Sequence, residues 1–128
     1  PSTLPTSPAF GYYSCMKIIQ SSKTIKVQVA ATTTIWEYPM DERALSGAVA
    51  QVQERYPEKG FAVNKKSKEL AFVVSGNGHV ITPHARQPIG VGDLIFLDKE
   101  EPFAWKGNLT IFMVTAPKFD PKQHNIYE

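Results

Sequence analysis

Glu69 is the residue of this sequence whose position asks for chemistry. In the stretch SKELAFVVSGNG (67–78) it opens the apolar run Leu70-Ala71-Phe72-Val73-Val74, which a β-sheet would bury. A carboxylate at the head of a core strand must be neutralised, because an unpaired buried charge is prohibitive. If burial neutralises it by a proton, the group becomes a general acid or base near neutral pH. The other reactive side chains are scattered. Cys15 is the single cysteine and has no histidine near it in sequence, so it reads as a small apolar residue rather than a nucleophile. His79, His84 and His124 have no ligand-like spacing to one another and read as surface or turn histidines. Lys65, Lys66 and Lys68 form the densest basic cluster and read as a solvated turn.

The 128 residues suit one domain with one core. With 42% hydrophobic and 20% charged residues the composition is that of an ordered globular chain. Fourteen basic against twelve acidic residues leave a formal charge of +2, and no basic stripe points to nucleic acid. One cysteine excludes an internal disulfide. The first fifteen residues lack the basic start and apolar stretch of a secretion signal, and no segment approaches the roughly 20 apolar residues of a membrane span. A cytoplasmic protein without a membrane partner is expected.

The elements that must position Glu69 are strands. Residues 1–15, with Pro1, Pro5 and Pro8, form an expected N-terminal arm, and residues 16–128 the single β domain. MKIIQ (16–20), TIKVQVA (24–30) and TTTIWEY (32–38) are β-type runs separated by turn residues. KELAFVV, HVIT, DLIFL, PFAW and LTIFMV follow, each bounded by Gly, Pro, Asn or Asp. Strands at this spacing predict an all-β sandwich or barrel. Residues 44–56 are ambiguous. Ala44, Leu45, Ala48, Val49, Val52 and Tyr56 fit one helical face, while Val49-Ala50-Gln51-Val52-Gln53 alternates as a strand does.

Two spacings carry a resemblance. Gly60 precedes Glu69, and Glu69 is followed after six residues by Gly76; Gly92-Asp93 then opens the strand DLIFL. This arrangement, over residues 47–120, resembles the cupin family, whose first motif is G(x)5HxH(x)3-4E(x)6G and whose second is G(x)5PxG(x)2H(x)3N. The resemblance implies a jelly-roll barrel, a closed sheet that encloses a ligand cavity. In metal-bearing cupins three histidines and the glutamate hold a divalent transition metal, chemistry that suits imidazole and carboxylate ligands. Here the first two histidine slots hold Ala62 and Asn64, or Val63 and Lys65 with a shorter gap. The third holds Phe103, and the proline, glycine and asparagine slots hold Asp98, Glu100 and Gly107. The resemblance therefore predicts a barrel with no metal and no cofactor, and it resolves residues 47–56 as a strand.

In that register Glu69 turns inward together with Asn64, Phe103 and Trp105, since alternate residues of a strand share a face. Glu69 would pair with a lysine of the 65–68 turn, hydrogen-bond Asn64 and Trp105, or take up a proton. One reading makes Glu69 and Asn64 the polar floor of a small-ligand pocket walled by Phe103 and Trp105. The other makes the same four residues a filled core. The function expected is metal-free binding of a small organic molecule. The alternative is an isomerase, epimerase or lyase with Glu69 as acid and base. A homodimer is expected from the resemblance, with Tyr12, Tyr13 and the strand 24–30 at its interface.

Overall fold

The computed structural model describes residues 16–128, so the expected arm and the interface readings of Tyr12, Tyr13 and Cys15 lie outside the described residues. The chain forms β1 (Ile25–Ala30), β2 (Thr33–Tyr38), β3 (Ser46–Val52), β4 (Arg55–Tyr56), β5 (Phe61–Asn64), β6 (Lys68–Thr82), β7 (Ala85–Gly90), β8 (Leu94–Leu97), β9 (Ala104–Ala116) and β10 (His124–Tyr127). Short 3₁₀ turns at Ser21–Lys23 and Pro121–Gln123 are the helical elements among the described residues. No helix among them is long and apolar enough to cross a membrane.

One antiparallel sheet runs β1-β2-β3-β9-β6-β7, with β4 added to β9 and β8 to β6; β5 and β10 form a second, two-stranded sheet. The ambiguous segment is strand: Val49 lies opposite Phe112 and Val52 opposite Leu109, so pairing with β9 overrides the local helical periodicity. MKIIQ is a correction to the sequence reading, since residues 16–20 make no strand and end in the 3₁₀ turn.

A second correction concerns the glycines read as turns. KELAFVV and HVIT are two halves of one 15-residue strand, and PFAW and LTIFMV meet in the 13-residue β9, of which Phe103 lies just outside. Gly76 and Gly107 are internal to these strands, at φ +86° and +123°. A Cβ on Gly76 would stand 1.9 Å from the Asn108 carbonyl oxygen, and one on Gly107 would stand 2.6 Å from the Gly78 Cα. Glycine lets the two long strands kink against each other where the register shifts between Val73 and Ser75. The strand thus bends without ending.

Alternation along β6 is strict where it matters. Glu69, Ala71 and Val73 are buried, while Leu70, Phe72 and Val74 are exposed. Ala71 and Val73 pack with Val52, Leu109, Ile111 and Trp105 into one core. The ribbon β5–β10 closes one side of it, because Ala62 exchanges backbone hydrogen bonds with Phe103 at 2.8 and 2.9 Å. The outward face is also apolar. Phe72 pairs with Leu94 and Phe112, and Leu70 with Phe96 and Val114, which lays a hydrophobic strip across the outside of the barrel.

Candidate functional site

Glu69 enters the barrel because its register places it between Leu97 of β8 and Thr115 of β9 on the inner face. Only 5% of the residue is exposed. Asn64, at the end of β5, donates from Nδ2 to Glu69 Oε1 at 3.2 Å. Glu69 Oε2 is buried without a hydrogen-bond partner. Desolvation outweighs the bond from Asn64 and raises the carboxyl from 4.5 to about 7. Of the three fates open to the carboxylate, the bond to Asn64 is seen without the one expected from Trp105, and the raised pKa favours uptake of a proton. Lys65, by contrast, points to the Tyr127 ring, its Nζ 5.5 Å from the centroid.

A cavity of about 450 Å³ opens beside Glu69. Phe103 and Trp105 form part of its wall in an edge-to-face pair, ring centroids 6.0 Å apart. Val27, Ile35 and Met113 continue the apolar lining, and Glu37, Lys118 and Thr33 add polar groups. Of the four residues expected to build the pocket, Glu69, Phe103 and Trp105 line it. Asn64 is not in the lining; it lies behind Glu69 and orients it. Among the described residues, the buried side-chain polar atoms without a partner are Glu69 Oε2 and Thr33 Oγ1, and both belong to residues that line this cavity.

His124 and Tyr56 are cavity residues that the sequence reading missed. His124, read as a surface or turn histidine, opens β10 directly opposite Asn64 of β5 and lines the cavity. Its Nδ1 lies 2.8 Å from Asn64 Oδ1, and its Nε2 lies 2.8 Å from the Tyr56 hydroxyl. The two rings stack, centroids 6.1 Å apart and planes within 10°. Burial lowers the pKa of His124. Burial, with the charge of Glu69 adding to it, raises Tyr56 to about 12. HNIY lacks the alternation of a half-buried strand, and nothing in the sequence names its partner.

The hydrogen-bond network fixes its own polarity. Gln123 Oε1 accepts from the backbone N–H groups of Lys66 and Ser67 at 2.9 and 3.1 Å, and these can only donate. Gln123 Nε2 must therefore face Asn64 Oδ1, at 3.3 Å, which turns Asn64 Nδ2 toward Glu69. Because Asn64 Oδ1 only accepts, His124 carries its proton on Nδ1. Nε2 is then a lone pair, and Tyr56 donates to it. Two backbone amides set the tautomer of a histidine some sixty residues away in sequence.

The residues do not fit the divalent metal of cupins. Among the described residues no three His, Cys, Asp or Glu side chains gather as a metal-binding group. Phe103 and Ala62 are buried hydrophobic residues of the core where the resemblance places imidazoles, and His124 is spent on Asn64 and Tyr56.

No protein-family model matches the chain, and no curated protein matches it. Solved structures do. A tyrosine-to-phenylalanine variant of Streptomyces Pac13 with uridine matches at TM-score 0.80 and 16% identity, over 90% of this chain and 93% of that one. Pac13 is a nucleoside dehydratase. KdgF from Halomonas sp. matches at TM-score 0.69 and 10% identity, covering 83% and 99% of the two chains. Ectoine synthase from P. lautus matches at 0.69 and 14%, covering 88% and 91%. At these identities the likeness establishes the fold, and that fold is the cupin-type β-barrel.

Proposed function

We propose that the barrel binds a small organic molecule and that Glu69 exchanges a proton with it without a metal. The observation that carries this reading is Glu69, a residue of the cavity lining whose buried Oε2 has no partner and whose carboxyl is raised to about 7. A buried polar atom without a partner in a native fold calls for one, and the residue that carries it lines a cavity the size of a small-ligand site. A carboxyl group poised at about 7 is present in both protonation states at physiological pH, as acid–base catalysis requires. The neighbours of the same fold include a nucleoside dehydratase, and elimination of water is a reaction that proton transfer promotes. Binding of a small molecule is the reading the cavity and its apolar lining support; isomerase or lyase chemistry with Glu69 as acid and base is the second, favoured by the raised pKa of Glu69.

The test is a panel of nucleosides, sugars and carboxylic acids, scored by isothermal titration against wild type and Glu69→Gln. Binding that the substitution weakens tenfold or more supports the reading. Binding indifferent to position 69, or none across the panel, defeats it.

We propose further that two copies pair through the outer apolar strip. Phe72, Leu94, Phe96 and Phe112 are 41–62% exposed there, a contiguous patch of the kind that marks an interface. The sequence reading put the interface at Tyr12, Tyr13 and the strand 24–30; this proposal puts it on the face built by β6, β8 and β9.

A further inference from the structure

The cavity wall built by β1, β2 and β3 has a polar end and a hydrocarbon end, and strand register sets which is which. Inward residues alternate along these strands, so Ile25, Glu37 and Ala48 form one row across the sheet and Val27, Ile35 and Ala50 the next. Beyond Glu37 the wall continues to Ser46 and Thr115, whose hydroxyls lie 2.7 Å apart. In the other direction it continues to Val29 and Val52.

Glu37 is the anomaly of this wall. Its cross-strand neighbours are Ile25 and Ala48, and it is half-buried. Among the described residues its carboxylate has no hydrogen bond and no ion pair. Lys118 lines the same cavity, but that residue is exposed and does not pair with Glu37. Water solvates the lysine. Hydrocarbon on both sides withholds part of that solvation from the carboxylate, which therefore gains from a cation brought to it. Tyr38, Tyr56, Phe103, Trp105 and Phe119 add aromatic rings to the lining, and ring faces attract cations. The way in lies along the edge strand β1, where Ile25 and Val29 of the lining are 51% and 37% exposed.

We infer that the cavity takes a protonated amine carried on an apolar body, and that Glu37 is the residue that pairs with its ammonium group. This rests on the proposal that the cavity binds a small organic molecule, and it names the chemical class of that molecule. The lining favours the class by its charge, since Glu37 and Glu69 stand there against the single exposed Lys118. A carboxylic acid of the same shape would set a like charge beside Glu37 in partly apolar surroundings, where repulsion is strongest. A neutral molecule would strip water from Glu37 and return nothing to it. An ammonium group replaces that water with a charge-assisted hydrogen bond. The body of the amine then lies along Val27, Ile35 and Ala50 toward Val29 and Val52, the hydrocarbon end of the wall. Glu37 binds and takes no part in proton exchange, and no contact between the ligand and Glu69 is needed.

The probes are phenethylamine, 2-phenylethanol and 3-phenylpropionate, which share one phenethyl body and end in an ammonium, a hydroxyl or a carboxylate. Isothermal titration of wild type at pH 7 is expected to find the amine bound roughly tenfold or more tightly than either of the others. Glu37→Gln and Glu37→Ala are each expected to weaken the amine by roughly tenfold and to leave the alcohol within about twofold. Two variants guard against one failing to fold, and circular dichroism checks both. Lys118→Gln is expected to leave amine binding intact or to strengthen it. The inference is overturned if the alcohol or the carboxylate binds as tightly as the amine, if none of the three binds, or if amine binding is unchanged in both folded Glu37 variants. Loss of amine binding in Lys118→Gln overturns it too. Glu69-dependent binding of nucleosides, sugars or acids alongside any of those results leaves the small-molecule site standing, and its absence defeats that reading separately.

Discussion

Glu69→Gln is the substitution with the most informative free energy. The folded protein holds this carboxyl at about 7, against 4.5 for the free group, and the larger cause is desolvation. Between those values the folded state keeps a proton that the unfolded state has released, so stability falls as pH rises. The contribution is whole below about pH 4.5 and gone above about pH 7. At 1.36 kcal/mol for each pH unit between the two values, the swing is about 3 kcal/mol. Glutamine keeps the acceptor for Asn64 Nδ2 and never ionises, so it lacks this pH dependence. His124 works in the opposite sense, since its lowered pKa costs stability as pH falls below 6.5, but it is present in both proteins and cancels in their difference. Urea unfolding of wild type and variant at pH 4.5 and at pH 8 therefore gives a difference that moves by about 3 kcal/mol in favour of glutamine at the higher pH. In melting temperature this is roughly 10 °C for a domain of this size. A stability difference that is flat across that range refutes the buried, proton-binding carboxyl, and the proposed acid with it.

Gln123→Leu removes the acceptor of two backbone N–H groups, those of Lys66 and buried Ser67, and the donor that orients Asn64. It should cost at least about 2 kcal/mol in urea unfolding and blur the single His124 tautomer in nitrogen-15 spectra. Gly76→Ala forces a Cβ onto the Asn108 carbonyl at a positive φ and should cost more than about 2 kcal/mol. Gly90→Ala, which meets nothing within 4 Å, is its control and should change stability by less than about 1 kcal/mol. Phe72→Lys places a charge in the outer apolar strip, and light scattering should find the 14.2 kDa monomer where wild type gives twice that mass.

Much of the barrel was legible because burial writes a period of two into its strands. Glu69, Ala71 and Val73 against Leu70, Phe72 and Val74 is such a signal, and it placed the carboxyl inward. Residues 46–52 were decided against their helical spacing by a partner, β9, that lies some sixty residues downstream. The glycines misled for a physical reason. A glycine that ends a strand and one that lets two strands press together look alike in sequence, and Gly76 is of the second kind. Phe103, Trp105 and Asn64 were foreseen as companions of Glu69, although Asn64 stands behind the carboxyl rather than on the cavity. His124 was missed because its role comes from a cross-strand pairing that no local pattern encodes.

That pairing joins the architecture to the chemistry. β10 lies antiparallel to β5, which sets His124 opposite Asn64, and the turn before it delivers Gln123 to the amides of Lys66 and Ser67. The ribbon that closes the barrel thus also points every donor and acceptor in the site. In a jelly roll whose interior is mostly hydrocarbon, a misplaced amide would be costly, and here Gln123 and Asn64 are each held in a chain that starts at the backbone. The chain of dependence runs from two main-chain N–H groups through Gln123 and Asn64, and it divides at Asn64. One branch leaves His124 Nε2 bare for Tyr56, and the other meets one oxygen of Glu69 and leaves the second unclaimed. The network ends beside the cavity with a hydroxyl bonded to an oriented imidazole and a carboxyl oxygen that no neighbour claims.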